Sequence, residues 1–260
     1  MKNMIYVNST IQFLKAIKAI QKAWNSDSFP WFRGEPSDTK TPLLPKLYRV
    51  KKDGSYHDEN LIVQTFRMKS PIYGGFTTPN KQSTDEWLFL MQHVGLPTRL
   101  LDWSEGALIA LYFALKESDP VVWMLNPVEL NRLSIDDDQD LKPNQFPLTW
   151  VQQDRTINIG SINVRGAWES DSVGTKFPVA IKPTYIHPRM SSQRSCFTVQ
   201  GKNKSCLNDL VSGKLLQRIY ITAEIELLEV MKKELYILGI SEGSLFPDLD
   251  GLSKEIEELF

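Results

Sequence analysis

Apolar side chains fill every side of the stretch 107–115. As a helix it has no wet face, so it must be buried all round and serve as the central post of a domain. Ser104 stands where an N-cap belongs, and Glu105 follows in the first turn, where a negative charge suits the helix dipole. The residues leading into it, 92–104, are the opposite in character: amide, imidazole, guanidinium, carboxylate and indole groups crowd what reads as one loop. Such groups are buried beside an apolar helix only when paired. They hold each other, or they hold a ligand at the helix N-terminus, a natural anion site.

The rest of the chain is patterned around that post. Phe13, Leu14, Ile17, Ile20 and Trp24 recur at helical spacing after the capping residues Ser9 and Thr10. Lys15, Lys18 and Lys22 share the other face, which reads as a solvated surface rather than a nucleic-acid contact. Residues 29–34 predict a short aromatic strand that ends in a turn at Gly34. Asp58 and Glu59 open a helix carrying Leu61, Ile62, Phe66 and Met68, and Ser83 with Glu86 forms a capping-box pattern before the apolar run 87–91. Strands are predicted over 121–125, 179–181, 195–199 and 216–221, with a turn or short helix over 187–194. A helix from Ala223 stops near Gly239, and a terminal helix starts at Asp248 or Ser253. Between about 132 and 177 the chain changes character and reads as a large connection or lid, with a solvated acidic run over 136–140 rather than a metal site. Helices and strands are interspersed without regular alternation, so the class is α+β, with a mixed or antiparallel sheet around the buried helix.

Composition changes this picture little. A chain of 260 residues has ample length for a core, and 42% hydrophobic with 23% charged residues is ordinary for a globular protein. A formal charge of −1 gives no global field towards nucleic acid or an anionic membrane. The absence of a membrane-span or signal-peptide pattern predicts a cytoplasmic protein with no membrane partner. Two cysteines, Cys196 and Cys206, make neither a disulfide framework nor a metal cluster, and no metal is expected.

Candidate chemistry gathers at a few residues. Arg33, at the end of a buried aromatic strand, needs a partner, and its planar guanidinium suits a phosphate or a carboxylate; Glu35 and Asp102 are the internal choices. His93 is either a proton-transfer group or a core histidine bonded to backbone. Arg99 and Asp102, three apart, read as an internal ion pair that braces the loop, and Trp103 as packing. If Arg33, Gln92, His93 and Gln193 converge from separate segments, ligand binding is favoured.

These residues carry a resemblance. Phe32-Arg33-Gly34, the stretch Gln-His-x-Gly-Leu-Pro-Thr-Arg-Leu-Leu-Asp-Trp-Ser from Gln92 to Ser104 with Ala-Leu-Tyr-Phe-Ala after it, Gln193-Arg194 before Phe197-Thr198, and the run from Leu245 to Leu252 together resemble the FRG domain, a mainly prokaryotic family. The resemblance covers nearly the whole chain and implies a single FRG domain over 1–260, with the stretch 132–177 as a variable insertion. It departs at Ser195, where glycine is common, and at Ser104, where threonine is. The family is similar in turn to ADP-ribosyltransferases. That implies an ADP-ribosyltransferase-like fold, NAD as substrate, and a role in ADP-ribosyl transfer or NAD hydrolysis, with a protein or nucleic-acid acceptor and a setting in phage defence. By the same likeness Arg33 holds the phosphates of NAD, and Thr98 or Ser104 supports the nicotinamide ribose. Gln92, Arg99 and Asp102 complete the binding loop, with His93 and Gln193 at the catalytic position. Gln193 cannot be a general base. The second expectation is therefore a non-catalytic nucleotide- or partner-sensing module with a degenerate site.

Overall fold

The computed structural model describes residues 4–26, 28–37, 42–73, 79, 84–134, 177–183, 185–201, 203–211, 213, 215–222 and 224–260, with three two-residue strands between 148 and 163. The strands are β1 (Ile5–Val7), β2 (Trp31–Pro36), β3 (Leu100–Ser104), β4 (Pro120–Leu125), β5 (Leu148–Thr149), β6 (Asn158–Ile159), β7 (Ile162–Asn163), β8 (Val179–Lys182), β9 (Ser195–Val199) and β10 (Leu216–Ile221). Eight of them form one sheet in the order β1-β10-β4-β2-β3-β9-β8-β5, and β6 with β7 makes a separate ribbon. β1 runs parallel to β10 and β5 parallel to β8, while the other neighbours are antiparallel, so the sheet is mixed and the class is α+β.

β4 shows why the sheet is covered on both faces. All of its residues are buried, and successive side chains point to opposite sides. Val122 and Met124 join Phe13, Ile17, Ile20 and Trp24 of α1 (Thr10–Trp24) and Ala110, Leu111 and Ala114 of α4 (Ala107–Ala114) in one core. Val121, Trp123 and Leu125 join Trp31, Leu101, Trp103, Ala180 and Cys196 in the other. Ser9 caps α1 as expected, accepting from Gln12 N at 3.4 Å, but Leu14 is 45% exposed, because the helix buries a narrower stripe than its apolar residues suggest.

α2 (Glu59–Lys69) starts at Asp58, whose side chain accepts from Leu61 N at 3.0 Å. α3 (Thr84–His93) follows; Ser83 of the expected capping box lies outside the described residues. The stretch after β4 contains a helix that the sequence pattern did not announce, α5 (Pro127–Ser134), with Asn126 Oδ1 accepting from Glu129 N at 3.2 Å. Beyond the end of α5, the acidic run 136–140 and nearly all of the expected lid lie outside the described residues. The remaining helices are α6 (Pro188–Ser192), α7 (Leu207–Leu210), α8 (Ile225–Ile237), α9 (Glu242–Leu245) and α10 (Leu249–Leu259), the last capped by Asp248, as one of the two expected starts.

α4 is the central helix, and none of its side chains is exposed. It is not dry all round: Leu108, Tyr112 and Phe113 are half-buried, and Phe113 faces a cleft. Its N-cap is Gly106, not Ser104. The stretch 100–104 that reads as a loop is strand β3, where buried Leu101 and Trp103 alternate with exposed Asp102. The polar positions hid a period of two, because one edge of the strand opens on the cleft. Leu111, fully buried, is expected to cost about 2–5 kcal/mol when replaced by alanine, the usual range for large-to-small core changes, measurable by urea unfolding.

Candidate functional site: a cleft at a split in the sheet

β2 pairs with β4 along its whole length, and β3 does so with β9. Between themselves β2 and β3 share only the register pair Phe32↔Ser104 and then diverge. The divergence opens a cleft of about 390 Å³, inside the range of small-molecule sites. Arg33, Gln92, His93, Asp102, Ser104 and Gln193 all line it, with Phe89, Phe113, Phe197 and Phe246 as apolar wall and Lys116, Glu117 and Arg189 at its edges.

Gly34 is not a turn residue; it lies within β2, where the strand passes directly under α4. A Cβ there would sit 2.1 Å from the carbonyl oxygen of Ala110 and 2.5 Å from the nitrogen of Ala114. Only glycine lets the strand and helix backbones approach this closely. That contact fixes Arg33, one residue back, on the opposite side of the strand.

Arg33 takes both internal partners that the sequence offered. Its Nε donates to Glu35 Oε2 at 3.3 Å, while Nη1 donates across the split to the backbone oxygen of Asp102 at 2.8 Å. The Asp102 carboxylate lies 3.8 Å from Nη1 and is 56% exposed. Glu35 is almost fully buried, and its other oxygen accepts from Trp123 Nε1 at 2.7 Å. The guanidinium is thus fixed from two sides and presents its remaining edge to the cleft.

Gln92, Thr98 and Asp102 are joined in one line. Leu100 N donates to Thr98 Oγ1 at 3.1 Å, the Thr98 hydroxyl donates to Gln92 Oε1, and Gln92 Nε2 donates to Asp102 Oδ2 at 2.8 Å. Thr98 is fully buried and does not reach the cleft. Arg99 does not pair with Asp102 and does not reach the cleft either: its Nε donates to both carboxylate oxygens of Glu59, at 2.9 and 3.1 Å. The two residues adjoin the start of β3, where side chains alternate between sheet faces and carry Arg99 away from the site.

Ser104 Oγ donates to the backbone oxygen of Gln193 at 2.7 Å and accepts from Gly106 N at 2.9 Å, tying the end of β3 to α6. Gln193 turns its side-chain amide to the C-terminal segment, where Nε2 donates to Leu245 O at 3.1 Å. The His93 ring lies against that of His187, tilted by 33°, with ring centroids 3.8 Å apart. His187 Nδ1 in turn accepts from Arg189 N at 3.2 Å and caps α6. Burial first, then the His187 and Arg189 charges, pushes His93 down to about 4 from its ordinary 6.5. Burial and Arg189 lower His187 as well. A depressed histidine pKa means that the unfolded chain binds more protons, so stability is full above pH 6.5 and falls as pH drops towards about 4. Melting followed across that window is expected to show the loss, and His93→Gln to reduce it.

The sequence pattern missed Lys116, Arg189 and Phe246. Lys116 pairs with buried Glu242 and lies 4.8 Å from the Tyr112 ring centroid. Arg189 Nε donates to Asp248 at 2.8 Å, and its guanidinium lies over the Phe246 ring at 5.1 Å. Lys116 adjoins the apolar helix, Arg189 lies in the block before Gln193, and Phe246 lies in the run from Leu245 to Leu252, but nothing local marked any of them as facing a site. Cys196 is buried, and burial raises its thiol well above the ordinary range, which unsuits it as a nucleophile. Among the described residues no group of three or more histidine, cysteine or acidic side chains is placed to hold a metal ion, and no helix is long and apolar enough to cross a membrane.

No curated protein and no solved structure matches the chain. Residues 29–121 match the family model of the FRG domain, and this matched stretch supplies Arg33, Gln92, His93, Asp102 and Ser104 to the cleft.

Proposed function

We propose that the cleft binds a nucleotide, with the diphosphate of NAD at Arg33, and that the protein is an NAD-handling enzyme of ADP-ribosyltransferase type. The observation that carries this reading is the split between β2 and β3, with a guanidinium bridging it beside aromatic wall residues. A diphosphate suits a planar, fixed guanidinium, and the aromatic wall suits the flat rings at either end of a dinucleotide. The bound molecule is then either hydrolysed or passed as ADP-ribose to a protein or nucleic-acid acceptor. A cytoplasmic setting in phage defence belongs to the same proposal, tested by plaque counts with and without an intact Arg33.

The direct test is incubation of the pure protein with NAD, following nicotinamide release and the NAD-dependent rise in melting temperature. Arg33→Lys is the control, because it keeps the charge beside Glu35 but loses the fork that reaches across the split. It is expected to abolish both signals. A specific observation favours the second reading, a nucleotide or partner sensor without catalysis: the side chain at the expected catalytic position is an amide, Gln193, whose Nε2 is engaged by Leu245 O. Thermal stabilisation by NAD with no nicotinamide released would select that reading.

A further inference from the structure

We infer that Asp102 is the reacting carboxylate of the cleft, and that Gln92 and Thr98 are the residues that position it. The inference rests on the NAD reading above and names the group that does the chemistry. The line of hydrogen bonds has one direction. The Leu100 N–H occupies the Thr98 oxygen, which turns the Thr98 hydroxyl proton towards Gln92 Oε1. That fixes the orientation of the Gln92 amide, whose N–H then points at Asp102 Oδ2 at 2.8 Å. Its inner members are buried or half-buried, while the terminal carboxylate is 56% exposed and lines the cleft. The line holds one carboxylate oxygen, Oδ2, which also lies 3.8 Å from the Arg33 guanidinium, while the side chain stays 56% exposed and lines the cleft, the arrangement that a positioned general base requires.

Glu117, at the cleft edge, is not part of this line of hydrogen bonds, and the remaining acidic groups nearby are held by other partners. Glu35 is buried between Arg33 and Trp123, Glu242 accepts from Tyr112 and Lys116, and Asp248 holds Arg189 and caps α10. The Asp102 backbone oxygen receives Arg33 at 2.8 Å, so the same residue joins the anion-binding guanidinium to the carboxylate. With the diphosphate at Arg33, the ribose next to it falls beside Asp102. In hydrolysis the bond from ribose C1′ to the nicotinamide nitrogen breaks. Both of its electrons go to the ring, which loses its positive charge. Water supplies the oxygen of the new C1′–O bond, and its proton passes to Asp102 and on to solvent.

The test uses the full chain and NAD. Asp102→Asn keeps an oxygen for the Gln92 N–H but removes the basic group. Nicotinamide release is expected to fall by about 100-fold or more, in line with loss of a general base, while the NAD-dependent rise in melting temperature persists. Gln92→Ala, which leaves the carboxylate in place but free to turn, is expected to lower kcat by about tenfold with KM little changed, the mark of a group that acts on the transition state. It also serves if Asp102→Asn does not fold. Release at the wild-type rate from a folded Asp102→Asn protein, or an unchanged kcat in Gln92→Ala, overturns the assignment and leaves the NAD reading standing. A wild-type protein that releases no nicotinamide overturns the enzymatic reading first, and the assignment with it.

Discussion

Gly34→Ala is expected to give a protein that fails to fold, or one far less stable than the parent. The new methyl would lie 2.1 Å from the Ala110 oxygen and 2.5 Å from the Ala114 nitrogen, both backbone atoms of the central helix. Neither can swing aside as the tip of a long side chain would. The strand or the helix must move, and both are packed between buried neighbours such as Phe32, Val122 and Leu111. Overpacking of a tight core costs about 1–3 kcal/mol and occasionally more. Here the clash is with backbone, so a loss of at least about 3 kcal/mol is expected, at the upper end of that range. Urea unfolding of the purified variant, or its recovery only as aggregate, checks the point. A Gly34→Ala protein within about 1 kcal/mol of the parent, the typical cost of a point substitution, would mean that β2 and α4 are farther apart than described.

Arg33→Ala is expected to destabilise by about 3 kcal/mol, quite apart from any effect on a ligand. Glu35 has a relative exposure of 6%, and removing one member of a buried ion pair leaves an uncompensated charge that costs about 3–5 kcal/mol. The lower end applies, because Trp123 Nε1 still donates to the other oxygen and the Arg33 side chain is 20% exposed. The split between β2 and β3 also loses its bridge to Asp102 O. Glu35→Gln is expected to relieve part of the loss when combined with Arg33→Ala, since a neutral amide needs no cation. Chemical unfolding of the two single variants and the double measures this coupling. If Arg33→Ala unfolds at the parent's midpoint, the pair is not a folding element and its partners are held for a ligand alone.

Alternation and helical spacing were enough to find α1, β4, β8, β9, β10 and the central helix, because each buries a stripe or a face and its apolar residues repeat with the period of the element. The α+β class followed from their irregular order. That Arg33, the 92–104 stretch and Gln193 belonged to one story was also visible, since polar motifs beside apolar elements need partners. Local pattern could not supply the identity of those partners. Arg99 and Asp102 are close in sequence, yet the first pairs with Glu59 and the second with Gln92, because β3 turns them to different surroundings. Ser104 looked like a helix cap and proved to be the last residue of a strand, tied to Gln193 O and to Gly106 N. Gly34 looked like a turn and proved to be a contact point between backbones. The sequence by itself determined which segments are apolar and which polar residues demand satisfaction, because burial and period are local properties of the chain. Only the tertiary structure decided that β2 and β3 diverge after a single pair, that the cleft opens there, and which side chains face it. These depend on how strands distant in sequence register against one another, and no single segment carries that information.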